Sequence, residues 1–200
     1  MRRETQGFPG NKGGAQHCSI AAAGLSYGES QVPMNTSRLP QWIYALLLAC
    51  GAIGAAHYYA LLPERMASHF SSDGTPNGWQ LKEMFFALMA MVTASTAIIG
   101  FLAPVLIARR PASQINLPNK EYWLAPERRA VTMEFIAGQM RWFACAVLFV
   151  LLFGGYEALR ANLRSVVRFD SQAMLVVLVG FLAFVLLWLI GFVRHFSRVD

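Results

Sequence analysis

Charge is the scarcest feature of this chain of 200 residues: 14% are Asp, Glu, Lys or Arg, while 56% are apolar. Soluble domains carry about 25% charged and about 45–50% apolar residues. The balance therefore argues against a disordered polymer and against an ordinary cytosolic enzyme. Cysteine is scarce as well. Cys18, Cys50 and Cys145 stand in no CxxC or other metal-ligand spacing, and the last two fall in apolar runs, where a thiol behaves as a small hydrophobe. No structural disulfide, metal or other cofactor is expected. HExxH, GxSxG and P-loop motifs and closely spaced acidic pairs are missing, so the chain is read as a protein that is not an enzyme. Polar residues do not alternate with apolar ones at period two, as the strands of a membrane barrel would require.

What the sequence has instead is long apolar runs. A helix needs about 20 consecutive apolar residues to cross a bilayer, and four such runs occur at about 41–62, 84–107, 142–159 and 173–193. Backbone in lipid must satisfy its own hydrogen bonds, so each run is expected to be helical. The expected fold class is an all-α integral membrane protein with four transmembrane helices. Residues 1–37 are rich in Gly, Ser, Asn and Gln without an apolar period, and are read as a disordered N-terminal tail. The abrupt change in composition near Met34 also allows translation to begin there. Residues 38–200 then form the four-helix domain.

Formal charge is +6, with 17 basic against 11 acidic residues. The basic residues cluster at the ends of apolar runs and are not interleaved with aromatics in a polar stretch. Lipid headgroups are therefore the expected partner, and nucleic acid is not. Tail, second loop and C-terminus hold 12 basic residues; the first and third loops hold 5. The positive-inside rule places both termini in the cytoplasm. Arg160, Arg164 and Arg168 in the third loop stand four apart, which predicts one face of a short helix along the outer headgroups.

No acidic or basic residue lies in the central part of any run. Proton relays, ion pathways and voltage sensors need such groups, and carriers usually show repeats or paired broken helices. Mid-depth polarity is confined to Gly51 and Gly54 in the first run and Thr93, Ser95 and Thr96 in the second. These small and hydroxylated residues predict that the first two spans pack against each other. The fourth run has no polar group and is expected to face lipid.

Two loops stand out. The outer one reads LPERMASHFSSDGTPNGWQLK from Leu62 to Lys82. Its Gly74, Pro76, Asn77 and Gly78 predict tight turns and a compact structured loop. His69 beside Glu64, Arg65 and Asp73 forms its most chemically loaded cluster, and a metal reading would join His57, His69 and Asp73. The inner loop contains INLPNKEYWLAPERR from Ile115 to Arg129. Pro126 and Glu127 suit a first helical turn. Val131, Phe135 and Ile136 then oppose Arg128, Arg129, Glu134 and Gln139, a pattern for an amphipathic helix on the inner leaflet before the third span.

The series LPER–SHF–GxPxGW–K, followed one helix later by NLPN-KEYW–PERR, resembles an uncharacterised bacterial membrane domain found at the N-terminal end of SdpI-type toxin-immunity proteins. The resemblance covers about residues 40–140. Its matching positions include Arg65, His69, Phe70, Gly74, Pro76, Gly78 and Trp79 in the outer loop. In the inner loop they include Asn116, Pro118, Asn119, Tyr122, Trp123, Pro126 and Glu127. Met66-Ala67 stands where the outer motif usually has a hydrophobic residue followed by proline, and the longer proteins continue with further spans.

The outer residues are taken as the candidate site for a ligand or partner, and the inner ones as a second functional motif. The expected function is that of a bacterial cytoplasmic-membrane protein that senses or binds an extracytoplasmic peptide, lipid or membrane-protein partner, with SdpI-like immunity or signalling as the implied role. The alternative is a small transporter or an accessory subunit of a membrane complex.

Overall fold

The computed structural model describes residues 38–198; the expected disordered tail, residues 1–37, lies outside them. Four helices among the described residues are long and apolar enough to cross a membrane, so the protein is a multi-pass membrane protein. Helix α1 spans Leu39–Tyr59 and has Pro40 in its first turn, where a missing N–H costs nothing. A two-stranded antiparallel hairpin follows, β1 (Arg65–Phe70) and β2 (Pro76–Leu81). The fold is therefore mostly helical rather than all-α.

The second span runs from Lys82 to Ala108. It consists of α2 (Lys82–Ala97), a π-helical turn (Ile98–Leu102) and α3 (Ala103–Ala108). Pro104 explains the interruption: it has no N–H to give the carbonyl four residues back, Gly100, and its ring crowds that position. A short 3-10 turn (Ala112–Gln114) and the single-turn α4 (Lys120–Trp123) form the second loop. Helix α5 then runs unbroken from Pro126 to Asn162, and α6 from Ser171 to Ser197. Asp170 caps α6 by accepting the Ala173 N–H at 3.0 Å, a favoured use of Asp at that position.

Helix α5 is the spine. Its 37 residues span about 55 Å at about 1.5 Å per residue, well beyond the roughly 30 Å hydrocarbon core of a bilayer. The expected separate helix on the inner leaflet is instead the start of this one helix. No proline follows Pro126 in it, and part of its apolar stripe is covered by protein: Ile136 is buried with Ile115, Leu117, Leu124 and Phe196. Val131, by contrast, remains exposed.

Two further buried clusters follow along α5. Tyr44, Ala144, Cys145 and Leu148 pack at mid-length, and Leu62, Met66, Phe85, Ala158 and Leu159 pack under the hairpin. Helices α1, α2, α3 and α6 all pack against α5.

The expected pairing of the first two spans through Gly51 and Gly54 is corrected accordingly. A Cβ on Gly51 would lie 2.7 Å from Leu152 of α5, and one on Gly54 would touch nothing within 4 Å. Ser95 hydrogen-bonds its own helix at Met91 O. One buried link does join the two spans: the Tyr44 hydroxyl meets Thr96 Oγ1 at 2.7 Å. Thr96 also donates to Thr93 O. Gly100 is needed at a close approach, because a Cβ there would fall 2.6 Å from Ala144 Cβ.

Helix α6 exposes an apolar surface compatible with contact to lipid. None of its most apolar stretch is buried, and Val176, Leu182 and Leu187 are each more than 60% exposed. The expected helix through Arg160, Arg164 and Arg168 does not form. Helix α5 ends at Asn162, and the arginine side chains serve the loop instead: Arg164 donates to Arg168 O, and Arg168 to Asp73 O.

Candidate functional site

The hairpin end is built from local turn chemistry outwards. Asp73 accepts from both the backbone N–H (3.0 Å) and the hydroxyl (2.8 Å) of Thr75, a side-chain-closed turn of the kind Asp favours. These two donors hold the Asp73 carboxyl below the ordinary carboxylate range, since both bonds favour the charged form. Gly74 N–H donates to Ser71 O, and Ser71 N–H to Thr75 O. Gly74 sits at φ +87, and a Cβ there would lie 2.3 Å from Phe169 O; both conformation and space demand glycine.

The turn thus falls at Ser71–Thr75, and the expected turn at Asn77-Gly78 is instead strand. Pro76 opens β2, where proline is tolerated. Gly78 pairs with His69, and the position needs glycine, because a Cβ on residue 78 would sit 2.9 Å from His69 Cβ. The ladder is irregular on either side of His69, as bulges are near sites that re-aim a side chain.

Beside the Arg168–Asp73 bond, Asn162 and Phe169 fasten this hairpin to the bundle. Asn162, at the end of α5, accepts the Ala67 N–H at 2.7 Å and donates to Ala67 O at 2.8 Å and Ala158 O at 2.8 Å. It pairs with Ala67 as a neighbouring strand would, and so covers part of an otherwise open strand edge. On the turn, Phe169 N–H donates to Gly74 O at 2.9 Å, and the Phe169 ring stacks on Phe70 with centroids 5.0 Å apart.

Two concavities open here. One, about 720 Å³, has Ser68, His69 and Ser72 on its hairpin rim and Met89, Leu151 and Leu175 among its apolar walls. The other, about 300 Å³, is almost wholly apolar and lies between α1, α2 and α5, with Gly51, Gly54 and Gly155 in its lining. Tyr58 and Tyr156 also line it, their rings 5.9 Å apart.

The predicted outer residues do not act as one cluster. His69 and Phe70 line the larger cavity, whereas Arg65, Glu64 and Trp79 are exposed. His69 meets Ser68 Oγ at 3.1 Å, and Asp73 turns to Thr75. Ion pairs among the described residues are Arg141–Glu134 and Arg160–Glu157, and neither includes an outer candidate. No three His, Cys, Asp or Glu side chains converge among the described residues, so His57, His69 and Asp73 are not brought together.

Two residues of the second-loop motif, Asn119 and Trp123, tie the loop to a helix end. Asn119, at φ 50, and Trp123 both donate to Phe196 O, at 3.0 and 3.1 Å, and so satisfy a carbonyl at the end of α6. Thr132 donates to Trp123 O at 2.8 Å, and Arg129 to Ala108 O at 3.1 Å and to Arg110 O. The loop thereby ties the ends of α3, α5 and α6 together. Asn116, Pro118, Pro126 and Glu127 are exposed, and Tyr122 carries the Arg128 guanidinium 4.0 Å above its ring.

Sequence reasoning missed Asn162 and Glu157. Glu157 is buried, with one carboxylate oxygen on Arg160 at 3.0 Å and the other unpartnered. A single Asn or Glu near the end of an apolar run looks like any interfacial polar residue.

Against known proteins, residues 45–93 match a domain of unknown function (DUF1648). The match takes in most of α1, the whole hairpin and the first three turns of α2; the inner motif lies beyond it. No curated protein and no solved structure matches the chain. What is similar to a known family is thus the hairpin with the two helices that carry it.

Proposed function

We propose that this is a non-enzymatic protein of the bacterial cytoplasmic membrane, with both termini inside, whose hairpin end binds an amphipathic extracytoplasmic ligand, a peptide or a lipid. The carrying observation is the cavity of about 720 Å³ with a polar hairpin rim over apolar helix walls. Such a shape suits a molecule with one polar and one apolar part. Helix α5 offers a route inwards, since one rigid element is clamped to the hairpin by Asn162 and to the opposite loop by Thr132. SdpI-like immunity is the specific form of this reading: loss of the protein would sensitise cells to a secreted membrane-active peptide.

The test places a photoreactive benzophenone amino acid at Ser72 of the full chain in native membranes and identifies the adduct by mass spectrometry. A probe at lipid-facing Leu186 serves as the control. A discrete amphipathic adduct at Ser72, weakened by His69→Ala with Phe70→Ala, is the expected result. Identical bulk-phospholipid adducts at both positions would overturn the proposal. Solute-dependent flux in reconstituted vesicles would favour a transporter instead.

A further inference from the structure

At the end of the bundle opposite the hairpin, a concavity of about 470 Å³ is lined by Tyr122, Trp123, Gly191, Arg194, His195 and Arg198. We propose that it binds the phosphate group of an anionic lipid headgroup.

The lining carries two guanidinium groups, an imidazole and a phenol hydroxyl, and no carboxylate. Arg194 and Arg198 are exposed and make no ion pair or hydrogen bond with another described residue. Their donor forks are free, and the planar guanidinium matches phosphate oxygens two at a time. The walls are held in place. His195 stacks on Phe135 with centroids 3.9 Å apart and an interplanar angle of 16°. It also lies 4.9 Å from the Trp123 ring, whose indole N–H is fixed on Phe196 O. Gly191 leaves the floor open, since a Cβ built there meets nothing within 4 Å.

A lipid, rather than a soluble phosphate, is favoured by what lies alongside. Leu187, one turn before Gly191 on the same helical face, is 69% exposed. That face continues into the lipid-facing length of α6, so an acyl chain can lie along it while the headgroup reaches Arg194 and Arg198. Basic pockets at the membrane boundary bind anionic headgroups on this principle.

The full chain in neutral detergent is titrated with phosphatidylglycerol, with phosphatidylcholine and with inorganic phosphate, and bound lipid is counted by native mass spectrometry. Saturable binding of one phosphatidylglycerol is expected, at least tenfold tighter than phosphatidylcholine. The Arg194→Gln, Arg198→Gln double variant is expected to lose at least tenfold. Arg109→Ala, at the same end and outside the pocket, should stay within twofold. Gly191→Leu fills the floor without an internal clash and without touching charge, and should weaken binding at least threefold with an unchanged lipid-free melting temperature. It keeps the test decisive should the double variant fold poorly. Displacement of the lipid by millimolar phosphate would support the phosphate site while assigning it to the free anion. Equal binding of both lipids, or an equal loss in Arg109→Ala, would overturn the proposal.

Discussion

Replacing Asn162 by Ala removes both partners of Ala67, a residue with no exposed surface. The third bond, to Ala158 O, matters less, because that carbonyl retains its place in the helix. A buried main-chain donor or acceptor left without a partner costs about 1–3 kcal/mol, so two orphaned groups predict about 2–6 kcal/mol, concentrated at the hairpin. Unfolding of the purified protein in mixed micelles with increasing SDS measures the total, and amide exchange at Ala67 reports the local part. Asn162→Asp should be intermediate in exchange at Ala67, because its carboxylate still accepts that N–H but cannot donate to the carbonyl. A loss below about 0.5 kcal/mol, the scale of an ordinary surface substitution, with unchanged exchange at Ala67, would refute the view that this side chain stands in for a strand.

Other outcomes follow from the same contacts. Gly100→Ala should destabilise by about 1–3 kcal/mol, the usual range for overpacking, because the new methyl meets Ala144 Cβ at 2.6 Å. Gly51→Ala should cost less in the same SDS titration, since it meets the movable tip of Leu152. Gly74→Ala should release the Phe169 segment from the turn, read as faster tryptic cleavage after Arg168. Because the Asp73 carboxyl is held low by Thr75, its contribution to the turn is present above the ordinary carboxylate range. That contribution is lost as pH falls through the depressed value. An NMR titration should find Asp73 moved back towards the ordinary value in Thr75→Val.

The four spans were legible because bilayer crossing leaves an unmistakable signature in length and composition. Their ends were less so. The third apolar run covers 142–159, yet α5 begins at Pro126, since continuity of a helix through a polar stretch is decided by packing of Ile136 and Phe135 that no local pattern displays. The π turn before Pro104 was missed for a similar reason: a proline in an apolar run announces a disturbance without its form. The loop between the first two spans is compact and turn-rich as its composition implies, with Gly74 in the turn, but Asn77-Gly78 lies in β2 and not in a second turn. Asn-Gly is a strong local turn signal; here the Asp73–Thr75 closure sets the turn earlier and Gly78 serves instead as the strand partner of His69. Asn119 and Trp123 stand out in the sequence as part of a motif, but their bonds to Phe196 O at the end of α6 depend on a helix more than 70 positions away. Asn162 could not be singled out, because its role depends on a strand 95 positions away.

Site-directed labelling tests the central claim most directly. Single cysteines at 72, 165, 113 and 197 are introduced after the three native cysteines are replaced, and intact cells are treated with a membrane-impermeant maleimide. The account predicts labelling at 72 and 165, and protection at 113 and 197 until the cells are opened. Labelling at 113 and 197 alone would invert the protein in the membrane, and labelling at all four in intact cells would contradict a chain that crosses it four times.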